Sequence, residues 1–112
     1  MLRIVSLNMN GLRSADRKGA FAWLATQAVD CFAVQEIKAQ AADLPDELRR
    51  PTNAKLPAVG HFHFAERPGY SGVGLYTRQP PDRVVQGLGS PEFDAEGRFL
   101  QADFGRLSIV SL

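Results

Sequence analysis

Residues 29–36, with the sequence VDCFAVQE, form an apolar run that ends on a carboxylate, Glu36. Such a run predicts a buried β-strand that reaches the surface at its C-terminal end. In layered α/β proteins, ligands and reacting groups collect at the C-terminal ends of strands. A carboxylate mounted there is a good ligand for a hard metal ion. Glu36 is therefore the first candidate site residue, although a solvated carboxylate that pairs with Lys38 would give the same pattern.

The first strand, predicted over residues 2–8, ends in a similar way on Asn8-Met9-Asn10-Gly11. We expect this strand to be buried on both faces, because its apolar residues do not alternate cleanly. A helix is predicted over residues 18–28. The order strand, helix, strand predicts parallel neighbours joined by a right-handed crossover. Asn8 and Glu36 would then meet at one sheet edge, although Asn before Gly is also an ordinary turn former.

The remaining pattern predicts a short helix and four further strands. A hairpin is expected where two short strands flank the turn at residues 69–72. The last predicted strand, residues 107–112, reaches the end of the chain without a closing turn, and natural domains rarely leave such an edge unpaired. We therefore expect the chain to be part of a longer protein. The predicted elements are a helix over 43–50, strands over 60–66, 73–78, 99–104 and 107–112, and a loop over 79–96.

The composition describes a soluble globular domain. The chain has 112 residues, of which 45% are hydrophobic and 22% charged. Its net charge of +1 gives no global basic field, so any binding to nucleic acid must use a local patch. The single Cys31 lies in an apolar run, where an inert buried thiol is expected. Neither a signal peptide nor an apolar stretch of about 20 residues is apparent, and we expect a cytoplasmic protein without a membrane segment.

Four motifs together resemble the exodeoxyribonuclease III family of apurinic/apyrimidinic endonucleases, within the wider endonuclease/exonuclease/phosphatase superfamily. They are SLNMNGLR at 6–13, AVQEIK at 33–38, GYSGVGL at 69–75 and, more loosely, FDAEGR at 93–98. The resemblance covers essentially the whole chain. It implies an α/β fold, the four-layer α/β sandwich of that superfamily. Residues 1–112 would form the N-terminal part of a single domain and supply roughly its first sheet and a piece of the junction.

The resemblance also implies roles for individual residues. Glu36 is similar to the family's Mg²⁺ ligand, and Asn8 to the Asn that lies beside the metal and the scissile phosphate. A Mg²⁺ ion takes oxygen ligands, keeps several waters and usually needs only one or two carboxylates. Mn²⁺ stays open as the alternative metal. The implied catalytic and metal residues are thus Asn8 and Glu36, and the implied DNA-binding residues are Asn10, Arg13, Lys38, Tyr70, Ser71 and Gly72.

The implied function is a Mg²⁺-dependent DNA repair nuclease. It would cleave the phosphodiester 5′ to abasic sites, remove nucleotides from 3′ ends of duplex DNA, or do both. We expect the full-length protein to be a monomer and residues 1–112 alone to be inactive. Two alternatives stay open. One is a phosphodiesterase of the same superfamily that acts on a lipid or inositol phosphate. The other is a non-catalytic half-domain that binds DNA or a partner through its open strand edge.

Two further patterns have ordinary interpretations beside a functional one. His61 and His63 could bind Zn²⁺, but no Cys or further His accompanies them. A partly exposed sheet face is therefore favoured. Arg49, Arg50 and Lys55 form a loose basic stretch that is either a solvated surface or a phosphate contact.

Overall fold

Two parallel neighbouring strands begin the fold in the computed structural model, which describes residues 1–51 and 56–112. Strand β1 pairs with β2 from Ile4 opposite Cys31 to Asn8 opposite Gln35, so both strands end at one edge. The predicted parallel neighbours are confirmed. The elements are β1 (Ile4–Asn8), α1 (Leu12–Arg17), α2 (Ala20–Ala25), β2 (Cys31–Gln35), a 3-10 turn (Ala41–Asp43), α3 (Asp46–Arg49), β3 (Val59–His63), β4 (Val73–Thr77), β5 (Arg83–Gln86), α4 (Pro91–Asp94), β6 (Leu100–Phe104) and β7 (Leu107–Ser111).

The connection between β1 and β2 differs from the single helix predicted over residues 18–28. It contains two short helices, and α1 begins at Leu12, directly after Gly11. The break lies at Gly19, whose φ of 94° cannot continue a right-handed helix. Phe21, Leu24 and Ala28 stand at helical spacing in the sequence, and the first two are buried, but Ala28 lies after the helix and is exposed. An apolar stripe alone does not reveal such a break.

The strands form two sheets. The four-stranded sheet has the order β1-β2-β4-β3, with β4 antiparallel to both of its neighbours. The predicted hairpin of β3 and β4 is therefore confirmed. The three-stranded sheet has the order β5-β6-β7 and is antiparallel throughout. Residues 79–96 were expected to be loop, but they contain β5 and α4. The chain thus contributes to both sheets, and the expectation of roughly one sheet is wrong.

The four-stranded sheet lies between two other layers. On one face it packs against the helices, where Phe32 stacks on Tyr76 with 4.4 Å between the ring centroids. Phe21 from α2 meets both rings edge-on. On the other face, Leu75 joins a second apolar cluster with Leu100 of the three-stranded sheet. Helix, sheet and sheet thus form successive layers, as a mixed α/β sandwich requires.

Strand β1 is not buried on both faces as expected. Its residues alternate, with Val5 and Leu7 packed against the helix-side core and Ile4 45% exposed. The reason is the position of β1 at the edge of its sheet, because the second sheet packs on β2 and β4.

Within the described residues, no helix is long and apolar enough to cross a bilayer.

The thiol of Cys31 should be chemically inert in the folded protein. The residue is 3% exposed, and burial raises the pKa of its thiol to about 11. Because the thiolate is the reactive form, alkylation by iodoacetamide at about pH 8 should be slow in the native protein and fast after unfolding. Mass spectrometry of the peptide containing Cys31 measures this difference. Equal rates in the two states would contradict the burial.

Candidate active site

The candidate site lies where the segments after β1 and β2 meet the segment before β4. Backbone hydrogen bonds join the three segments. The Gly11 amide donates to the Glu36 carbonyl at 2.8 Å, and the Leu12 amide donates to the Ile37 carbonyl at 2.9 Å. The Lys38 amide donates to the Ser71 carbonyl at 2.8 Å. The segments that hold the first three sequence motifs therefore form one rigid surface.

This surface holds an unusual concentration of left-handed backbone. Asn10, Glu36, Lys38 and Ser71 have φ values of 46°, 51°, 54° and 50°. Residues with a side chain adopt this conformation at a cost, and they do so mainly where the surrounding structure enforces it. Here the cross-segment hydrogen bonds enforce it. The consequence is that Glu36 and Lys38 project from a fixed backbone and not from a free loop.

The two side chains that were predicted to meet do so. The amide nitrogen of Asn8 donates a hydrogen bond to Oε2 of Glu36. The amide oxygen of Asn8 accepts the backbone N–H of Asn10 at 3.0 Å. These two contacts define which end of the amide faces the carboxylate. Asn8 therefore holds Glu36 in one orientation.

Lys38 adds positive charge to the same cluster. Its Nζ donates to Oδ1 of Asn10 at 2.6 Å and lies 3.6 Å from Oε1 of Glu36. The Asn8 hydrogen bond lowers the pKa of Glu36, and the charges of Lys38 and Arg98 lower this pKa further. The carboxylate is consequently ionised at neutral pH. Arg13 approaches from α1 and donates from Nη2 to the Lys38 carbonyl at 3.3 Å.

The donor set fits a hard divalent cation. The Glu36 side chain is 41% exposed, so its ionised carboxylate is accessible from solvent. Two neutral amides belong to the same cluster: Asn8 contacts the carboxylate through its amide nitrogen, and the amide oxygen of Asn10 accepts a hydrogen bond from Lys38. Among the described residues, no group of three His, Cys, Asp or Glu side chains comes together. One carboxylate with neutral oxygens suits Mg²⁺, which retains water and binds substrate phosphate.

The third predicted segment, residues 70–72, borders this cluster. Ser71 is only 6% exposed and Gly72 is also buried, so both residues support the surface from beneath through backbone hydrogen bonds to Ile37 and Lys38. Gly72 has a φ of 87°, and its carbonyl accepts the Ile37 amide at 3.2 Å. The Tyr70 hydroxyl donates to Oε1 of Glu96 at 2.7 Å. Tyr70 thus connects the candidate site to the fourth motif.

The sequence interpretation gave no role to Glu96, Arg98 or Arg67, although all three surround Tyr70. Nη2 of Arg98 donates to the Tyr70 hydroxyl at 2.9 Å and to Oε1 of Glu96 at 3.3 Å. The guanidinium carbons of Arg67 and Arg98 lie 5.2 and 5.6 Å from the Tyr70 ring centroid. The FDAEGR motif contained the signal for two of these residues, because Glu96 and Arg98 stand within it.

His63 and Arg49, from the two other candidate patterns, make their hydrogen bonds elsewhere. Nδ1 of His63 lies 2.8 Å from the Phe99 carbonyl oxygen, which ties β3 to the segment before β6. The Nε atom of Arg49 donates to the Leu44 carbonyl at 3.3 Å, which ties the last residue of α3 to the segment before that helix. Lys55 lies outside the described residues.

Comparison with known proteins identifies relatives over nearly the whole chain. Recombination repair protein 1 of Drosophila melanogaster is 31% identical over 99% of this chain and 16% of its own length. DNA repair nuclease APEX1 of Danio rerio is 30% identical over 98% of this chain and 35% of its own length. The exodeoxyribonuclease of Bacillus subtilis is 29% identical over 99% of this chain and 42% of its own length. The chain therefore spans less than half the length of these relatives.

Solved structures confirm the fold. An AP endonuclease from Archaeoglobus fulgidus superposes with a TM-score of 0.79 at 23% identity, over 98% of this chain and 40% of that one. The 3′-5′ exonuclease NExo from Neisseria meningitidis superposes with a TM-score of 0.75 at 20% identity, over 96% of this chain and 39% of that one.

The sequence pattern of the Endonuclease/Exonuclease/phosphatase family matches residues 5–112. The resemblance carried by the four motifs is thus confirmed, and the chain belongs to the Endonuclease/Exonuclease/phosphatase family.

Proposed function

We propose that the protein containing this chain is a Mg²⁺-dependent DNA repair nuclease. It would hydrolyse the phosphodiester 5′ to abasic sites, remove nucleotides from the 3′ ends of duplex DNA, or do both. The observation that carries this proposal is the Glu36 carboxylate, held by Asn8 where the ends of β1 and β2 meet. Relatives named as a DNA repair nuclease and an exodeoxyribonuclease support the choice of DNA as substrate.

In this proposal Glu36 and Asn8 are the metal-binding and catalytic residues that the chain supplies. Glu36 offers an ionised carboxylate, and Asn8 keeps that carboxylate in one orientation. A bound Mg²⁺ ion would supply neutralisation of the charge on the phosphate and on the leaving 3′-oxygen. The Asn8 amide can hydrogen-bond a phosphate oxygen without adding negative charge that would repel it.

The DNA-binding role is assigned to the surface around this pair. Arg13 and Lys38 provide positive charge beside the carboxylate, and Tyr70 provides a ring and a hydroxyl at the border. Contacts of this kind to phosphate and sugar position a duplex without reading its sequence. The residues proposed to contact DNA are Asn10, Arg13, Lys38 and Tyr70, and the buried Ser71 and Gly72, also assigned to DNA binding by the resemblance, would support them through backbone hydrogen bonds.

Cleavage of a defined duplex tests the proposal. The full-length protein is incubated with a labelled duplex that carries one abasic site, with Mg²⁺ or with EDTA. We expect a single nick 5′ to the abasic site that requires the metal, and shortening from 3′ ends if exonuclease activity is also present. An inositol phosphate and a lipid phosphodiester serve as competing substrates. Hydrolysis of either one without cleavage of DNA would contradict the proposal.

We also propose that residues 1–112 do not cleave DNA alone. Within the described residues, Glu36 is the one carboxylate placed at the candidate site by contacts with Asn8 and Lys38. Groups that act together in catalysis lose orders of magnitude in rate when one is removed. The same duplex assay with the purified 112-residue chain should give no nicking. Mg²⁺-dependent nicking by that chain would contradict this part of the proposal.

A further inference from the structure

Glu96 forms the centre of a compact polar cluster beside the candidate site. One of its oxygens, Oε1, accepts hydrogen bonds from the Tyr70 hydroxyl at 2.7 Å and from Nη2 of Arg98 at 3.3 Å. The same Arg98 nitrogen donates to the Tyr70 hydroxyl at 2.9 Å. Each of the three side chains therefore contacts the other two, and removing Glu96 leaves the remaining pair without their shared acceptor.

The backbone places this cluster with little freedom. The Glu66 amide donates to the Ala95 carbonyl at 2.8 Å, which joins the end of α4 to the segment after β3. Gly97 then passes so close to the end of β3 that a Cβ would lie 2.5 Å from the His63 carbonyl oxygen. Glu96 and Arg98 flank this close contact. Their side chains are consequently carried on a backbone that is fixed at the point between them.

The negative charge of Glu96 opposes DNA binding at this surface, so the presence of Glu96 there indicates another role. A carboxylate near a polyanion repels phosphate, whereas the neighbouring Arg67 and Arg98 attract it. Arg98 is also close enough to Glu36 for its charge to act on that carboxylate. Charge-assisted hydrogen bonds are directional, so one carboxylate that bonds both Tyr70 and Arg98 can hold them in a common geometry.

We propose that Glu96 is a positioning residue that holds Tyr70 and Arg98 together as one DNA-contacting unit at the edge of the active site. This inference rests on the proposed function and assigns Arg98 a contact with the DNA backbone. Glu96 acts through its two partners and does not itself touch the substrate. Its removal should therefore weaken binding even though it takes a negative charge away from the DNA.

The test measures kcat, KM and the Kd for abasic duplex DNA with the full-length protein. Glu96→Ala should raise KM and Kd by roughly fivefold to tenfold, as expected when a charge-assisted contact loses its geometry, with kcat nearly unchanged. Glu96→Gln keeps an oxygen acceptor and should restore most of the affinity. Tyr70→Phe removes only the hydroxyl, and its effect should not add to that of Glu96→Ala, because both break the same unit.

Glu92→Ala is the matched control. Glu92 is an exposed acid on α4, and its loss changes the net charge by the same amount. Because this variant has lost one negative charge, electrostatics predicts that Glu92→Ala binds DNA slightly more tightly than the wild type. If Glu96→Ala also binds DNA more tightly, or lowers kcat with KM unchanged, the positioning role is wrong while the nuclease function stands. If the wild-type protein neither binds nor cleaves DNA, the proposed function and this inference fail together.

Discussion

Replacing Glu36 by Gln should reduce Mg²⁺-dependent cleavage of abasic DNA by the full-length protein by about a thousandfold, or about 4 kcal/mol in the activation free energy. Gln has nearly the same shape and retains one oxygen that can accept the Asn8 hydrogen bond. It lacks the negative charge that the site offers to a cation. The rate of nicking, followed across a Mg²⁺ titration, measures the loss.

Glu47→Gln provides the comparison for this experiment. Glu47 is an exposed acid in the first turn of α3, so the substitution makes the same chemical change away from the site. It should leave both the rate and the dependence on Mg²⁺ as they are in the wild type. Thermal unfolding of both variants checks that the fold is intact. A Glu36→Gln protein that cleaves at the wild-type rate over the same titration would show that Glu36 is not the metal ligand.

The meeting of Asn8 and Glu36 could be predicted because it depends on local patterns. Each residue follows a strand, and the strand-helix-strand order makes those strands parallel neighbours. The hydrogen bonds between their loops were not predictable in detail. Asn before Gly is typical of the left-handed backbone found at Asn10, but no side-chain pattern signals the same conformation at Glu36 and Lys38.

The parts of the fold that were missed depend on distant partners. Strand β5 is short and mostly exposed, and it is stabilised by pairing with β6. Helix α4 has only four residues in a stretch rich in Pro and Gly. The cluster of Tyr70 and Glu96 likewise joins residues 26 positions apart. Sequence periodicity reports burial along one element, and it carries little information about which elements meet.

Gly97→Ala should have the largest effect on stability among the substitutions considered, lowering the free energy of unfolding by about 3 kcal/mol or more. Gly97 has a φ of +62°, which disfavours any residue with a Cβ. A Cβ there would also lie 2.5 Å from the His63 carbonyl oxygen and 2.7 Å from the Ala65 nitrogen. These are backbone atoms, so they cannot rotate away as a side chain could. Urea denaturation of the full-length protein measures the change.

Gly105→Ala separates the two causes of this effect. Gly105 has nearly the same φ, +60°, but a Cβ there has no neighbouring atom within 4 Å. Its substitution carries only the conformational cost, about 1 kcal/mol. The difference between the two variants therefore measures the close contact between Gly97 and the segment after β3. If both variants lost the same stability, that contact would not fix the backbone between Glu96 and Arg98, and the rigidity assigned to the Tyr70 cluster would rest on the Glu66–Ala95 hydrogen bond alone.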